Sequence, residues 1–129
     1  MANIVQAEAT NMLNASLGKA TYTATVTPLK LKLVTANGTA TSAGTEVSGG
    51  SYVAQDITSA IATASGGATS NSGVITFTGM PAVTVVGVEI WDSASTPVRK
   101  WYGSLTASKT TASGDSISFA VGALTLSLS

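Results

Sequence analysis

Apolar and polar residues alternate at every second position over much of this chain, and the clearest alternation flanks a single break. Val83 to Trp91 and Val98 to Leu105 are rich in β-branched and aromatic side chains, and between them lies the polar, proline-containing stretch Asp92-Ser-Ala-Ser-Thr-Pro97. Two such runs around a short polar break predict a β-hairpin with a loop of several residues. The hairpin carries both tryptophans, Trp91 and Trp101, together with Arg99, Lys100 and Tyr102. Cross-strand aromatic and β-branched pairs are the stabilising units of a sheet, so this hairpin is the expected centre of an all-β core.

Only one stretch has helical spacing. Between Asn3 and Leu17, the residues Val5, Ala9, Met12, Leu13 and Leu17 fall on one face, with Ile4 at its edge. Asn3 is a suitable N-cap and Gly18 a left-handed stop, which predicts a helix over 3–17 that packs on the sheet, or in the alternative on a neighbouring subunit. Beyond it, Tyr22, Ala24 and Val26 alternate with threonines as a half-buried strand. Leu29, Leu31 and Leu33 then alternate with Lys30 and Lys32. Lysines on the open face of a strand read as gatekeepers of an exposed edge. Asn37-Gly38 is a turn dipeptide. From Thr39 to Ser72 the chain is loop-rich, with short strands expected at Tyr52-Val53 and Ile57 to Ala62, and loops of this kind carry contacts to partners.

Gly73 to Thr78 is a further strand, and Ala112 to Asp115 a turn. Ile117, Phe119 and Val121 alternate inward, then Leu124, Leu126 and Leu128; across Gly122-Ala123 these two runs pair as a terminal hairpin. About eight short strands separated by turn residues predict a β-sandwich or jelly-roll-like fold. At 129 residues one domain is expected, with a helix over 3–17 and a sandwich over 20–129.

Composition narrows the chemistry. Charged residues make up 9% of the chain, against about 25% in an average soluble domain, and six basic side chains balance six acidic ones. No long-range field steers nucleic acid or an anionic membrane, and a neutral surface favours association with other copies or other proteins. The absence of cysteine removes disulfides and thiolate sites; the absence of histidine removes the usual general base and zinc ligand. The opening residues lack the basic and apolar regions of a signal peptide, and no apolar run reaches the ~20 residues that span a bilayer. A soluble protein made in a cytoplasm is expected.

Paired carboxylates are the one catalytic option left. Glu89 and Asp92 are neighbours in sequence, but their odd spacing sends them to opposite faces of a strand. Asp92 reads as a turn residue that bonds its own backbone two positions on, since a calcium loop needs several carboxylates and a bidentate glutamate. No phosphate-loop spacing and no Gly-x-Ser-x-Gly occurs. No enzymatic activity, cofactor or metal is therefore expected. By strand alternation Arg99 shares a face with Trp101, and Lys100 with Tyr102. Trp91, Arg99, Trp101 and Tyr102 are the candidate core or interface anchors, being residue types favoured at such positions.

The segments Glu89-Ile-Trp-Asp-Ser-Ala94, Pro97 to Leu105, Ala107-Ser-Lys-Thr110, Ser113-Gly-Asp-Ser116 and Gly122-Ala-Leu-Thr-Leu126 resemble a family of small tailed-bacteriophage virion proteins. Its members are common in actinobacterial phages and often labelled tail fibre proteins. Leu31 to Gly38 and the opening helix fit as well, and Trp91 to Leu105 is the most specific part. The resemblance implies a structural virion component with no catalytic residues. The first expectation is a capsid decoration or minor capsid protein, homo-oligomeric and bound to the major capsid protein on the outside of the head. The alternatives are a tail fibre or tail-tip module that contacts other tail proteins and the host cell surface, and a glycan-binding module.

Overall fold

A computed structural model describes residues 2–128. In chain order the elements are β1 (Ala2–Ile4), α1 (Gln6–Ser16), β2 (Lys30–Ala36), β3 (Thr45–Glu46), β4 (Gln55–Asp56), β5 (Ala68–Ser70), β6 (Ile75–Met80), β7 (Thr84–Trp91), β8 (Arg99–Thr110), β9 (Asp115–Phe119) and β10 (Thr125–Ser127). Among the described residues, eight strands form one sheet in the order β3-β2-β7-β8-β1-β10-β5, with β4 also on β2, and β6 pairs with β9 in a second, two-stranded sheet. The all-β architecture with one short helix is as the alternation predicts.

The two sheets share one core. Leu31, Leu33, Val85, Val88 and Ile90 of the large sheet meet Ile75, Phe77, Ile117 and Phe119 of the β6–β9 ribbon. Apart from Val85, which lies beyond a register shift in β7–β8, each is an inward position of an alternating run, so the period of two in the sequence has become a buried face. Phe77 is the central ring: Tyr52 stacks on it at 5.9 Å, and Phe119 meets it edge-on at 6.3 Å. The Tyr52 hydroxyl accepts from the Leu33 N–H at 3.0 Å and donates to Glu46 at 3.0 Å, which ties the loop before β4 to β2 and β3.

Several expectations require correction. Residues 2–4 are extended and paired with β8, so the helix begins at Gln6; Val5 occupies the cap position and makes no side-chain cap bond. The apolar stripe of the helix does not pack on the sheet: Leu13 is 61% and Leu17 67% exposed, and the buried residue of α1 is Glu8. Helical spacing reports a helix, not which face another surface covers. The stop at Gly18 holds, with φ +70°.

Tyr22 to Val26 forms no strand, because no sheet edge pairs with it. β2 is not an edge strand either. It pairs with β7 on one side and with β3 and β4 on the other, so Lys30 and Lys32 guard nothing. The strands expected at Tyr52-Val53 and Ile57 to Ala62 are loop and turn, with Ile57 fully buried. Finally, β9 and β10 do not pair. β9 joins β6, β10 joins β5 and β1, and Gly122 (φ +82°) lies where the chain crosses from one sheet to the other. Alternation fixes which side chains point inward and is silent on which strand lies alongside.

Phe77→Ala removes the ring at the centre of the core and is expected to cost about 3–5 kcal/mol, read as a lower urea midpoint. Tyr52 predicts a pH effect. Burial pushes its phenol well above the ordinary value of 10.0; the Leu33 N–H opposes this in part, and the nearby Glu46 adds to the rise. An unfolded tyrosine ionises near pH 10 while the folded one keeps its proton, so the stability Tyr52 contributes is complete below about pH 10 and falls as the pH rises further. Urea midpoints at about pH 8 and about pH 11 should converge in Tyr52→Phe relative to the native chain; an equal alkaline loss in both would remove Tyr52 from the explanation.

Candidate functional site

The central hairpin forms as the sequence indicates, but its register holds a surprise. Glu89 lies opposite Tyr102 and Ile90 opposite Trp101, yet Trp91 lies opposite Arg99, with a shift between the last two pairs. Lys100 is the extra residue, a β-bulge on β8. The bulge overturns the expected sharing of faces. Arg99 lies with Tyr102, its guanidinium carbon 5.1 Å from the ring centre. Trp101 turns the other way and packs against the core; with Lys100 it lines a cavity on that side.

The face away from the core therefore gathers Trp91, Arg99 and Tyr102 with two residues the sequence did not connect to them, Lys32 and Glu89. The Lys32 ammonium sits 4.3 Å from the centre of the Trp91 ring, a cation–π contact, and 3.6 Å from Glu46. Lys32 reaches this position because it is opposite Glu89 across β2 and β7.

Glu89 and Arg99 form a buried ion pair at 3.2 Å, with side chains 3% and 6% exposed. Every polar atom of the pair that faces inward finds a partner. Glu89 Oε1 accepts from Trp91 Nε1 at 3.1 Å, and Oε2 accepts from the Gly44 N–H at 2.7 Å. Arg99 Nη2 donates to the Thr39 carbonyl at 2.6 Å. The loop between β2 and β3 thus folds over the hairpin and seals the pair. Gly38 permits this closeness: a Cβ there would lie 2.5 Å from Glu89 Oε2 and 2.6 Å from Arg99 Nη1. The Asn37-Gly38 dipeptide is glycine for lack of room as much as for turning.

Asp92 behaves as expected. Its Oδ1 accepts from the backbone N–H of Ala94 at 3.3 Å and of Val98 at 2.7 Å, which organises the hairpin loop. Among the described residues, no group of three or more acidic, histidine or cysteine side chains is placed to hold a metal.

A second charged cluster escaped the sequence entirely. Glu8 of α1 and Lys100 of the bulge pair at 3.0 Å, both largely buried, and the Tyr22 hydroxyl donates to the same carboxylate. Burial and then Glu8 raise the Tyr22 phenol above its ordinary value. Beside the cluster lies a half-open, mostly apolar cavity of about 290 Å³. Ninety-two positions separate Glu8 from Lys100, and no local pattern links them.

Breaking the buried pair from one side should be far worse than removing it whole. Glu89→Gln or Arg99→Met leaves one charge buried, at an expected cost of about 3–5 kcal/mol each, whereas the double variant should lose clearly less than the sum. Urea unfolding of the three variants gives the coupling energy; strict additivity would show that the two side chains do not act as a pair.

Residues 3–127 match the family described as Podophage GP4 fiber I protein gp80. No curated protein matches the chain. The matched family is one of phage virion proteins; it is a podophage family and does not carry the actinobacterial assignment.

Proposed function

The chain belongs to the podophage GP4 fiber I protein family, and on that premise we propose that it is a structural module of a phage fibre, working by contact with other tail proteins and with the host cell surface. The family match over residues 3–127 is the observation that carries this reading, and it favours a fibre over decoration of the head.

The fold supports a mechanical role. Three-residue and two-residue strands at the margins are tied to a long central hairpin, whose register is pinned by a bulge and a buried ion pair. Half-buried Trp91 and Tyr102, each with a cation over its ring, form a rigid aromatic surface of the kind used at protein interfaces. The module turns over no substrate in this reading. Glu89 and Asp92, the acidic residues nearest in sequence on the hairpin, are both occupied, Glu89 by Arg99, Trp91 and Gly44 and Asp92 by two backbone N–H groups.

Gold-labelled antibodies raised against the recombinant chain and applied to intact particles provide the test. Label confined to fibres at the tail end is the expected outcome, in a handful of copies per particle. Label spread evenly over the head would restore the decoration reading and end this one.

A further inference from the structure

The β1–α1 segment completes the large sheet yet is lightly attached to it. β1 runs antiparallel to β8, with Asn3 opposite Tyr102, and parallel to β10, with Ala2 opposite Leu126. It is the strand that joins β8 to β10 and so to β5. Its own buried side chains and those of α1 are few: Ala2, Val5 and Glu8. The helix is fastened to the body through the Glu8 carboxylate, which meets Lys100 at 3.0 Å and the Tyr22 hydroxyl.

Two further observations concern how this segment is seated. The cavity of about 290 Å³ lies where the helix and the following chain meet the sheet, lined among others by Met12, Tyr22, Leu29, Ile61 and Trp101. The segment thus rests beside a half-open, mostly apolar cleft and not against a closed interior. On the outer side of the helix, Leu13 and Leu17 are exposed at 61% and 67%. The chain from residue 17 to residue 27 then runs to β2 without helix or strand, and all but Thr25 of it is exposed. Eleven extended residues reach at most ~40 Å. A domain of this size has a radius of gyration near ~14 Å, so the tether can span to an adjoining copy.

We propose that the β1–α1 segment is exchanged between copies of this chain, so that β1 of one copy lies between β8 and β10 of its neighbour and its Glu8 pairs with the neighbour's Lys100. The occupant of the seat is fixed by the seat itself: the β1 pairings, the Glu8–Lys100 ion pair and the register are reproduced with the same residues. Exchange therefore keeps these contacts and gives up those made by the tether itself, such as the Tyr22 hydroxyl bond to Glu8, while the copies gain burial of surfaces such as Leu13 and Leu17 that one copy leaves in water. The inference holds wherever on the particle the protein sits.

The absence of cysteine makes the test clean. Chains bearing Asn3→Cys and chains bearing Tyr102→Cys are unfolded, mixed, refolded and oxidised. The two positions are directly opposed across an antiparallel pair, within the Cα separation a disulfide requires. Exchange predicts a disulfide-linked dimer on a non-reducing gel, with a 3–102 cross-linked peptide found by mass spectrometry. It also predicts that the doubly substituted chain forms covalent oligomers. A doubly substituted chain that closes only on itself, with no 3–102 cross-link in the mixture, overturns the proposal.

Charge reversal supplies an independent arm should the thiol variants fold poorly. Glu8→Lys chains and Lys100→Glu chains each place like charges together. Mixing them should restore stable oligomers to the level of the double variant if the segments exchange. If the double variant is sound and the mixture remains impaired, each segment stays at home.

Discussion

The structure depends on a charge buried where a β-protein can least tolerate one. Glu89 sits in the middle of the central strand pair, flanked by the fully inward Val88 and Ile90, and it is neutralised by Arg99 from across the hairpin. Desolvating two ions costs several kcal/mol each unless geometry and further hydrogen bonds offset it. Here Trp91, Gly44 and Thr39 supply those bonds, and the loop between β2 and β3 must close over the pair to deliver two of them. The cost of an alternative register is correspondingly high. A slip of one residue would turn Glu89 towards Leu31, Leu33 and Phe77, away from all three partners. The pair is thus a register lock more than a source of net stability.

That lock also accounts for the bulge. Direct alternation would have placed Arg99 on the core side with Trp101. One extra residue in β8 lets the guanidinium reach Glu89 while the indole stays with the apolar core, and Lys100, displaced at the bulge, is free to hold Glu8. A single irregularity therefore distributes three side chains to three tasks.

Much of this fold was legible in the chain because alternation is a strong local signal: the central hairpin, the leucines of β2, Ile117 and Phe119 of β9, Leu124 and Leu126, and the Asp92 and Asp115 turns stand where the pattern puts them, whereas Val121 and Leu128, which end the same two runs, are exposed. Pairing was not legible. The runs at Ile117 and Leu124 look like a hairpin and belong to different sheets, since inward-facing residues carry no label for their neighbour. The threonine-rich run at Tyr22 has the texture of a strand without an edge to join. Of the candidate anchors, Trp91, Arg99 and Tyr102 come together, while Trp101 is separated from Arg99 by a bulge that no composition or spacing announces. Glu8, Lys100 and Tyr22 meet only through tertiary folding, which a window of neighbouring residues never sees.

The open faces of this protein are knitted by hydroxyl groups. Thr76 meets Ser118 at 3.0 Å across the small sheet, and Thr84 meets Thr110 at 3.0 Å across the large one. Such rungs have no proton to give up in the ordinary range of acidity and no charge for dissolved ions to shield. These two rungs therefore hold alike in brine, in dilute water and in mild acid, whereas a part-exposed pair such as Lys32 and Glu46 would weaken in brine and in acid.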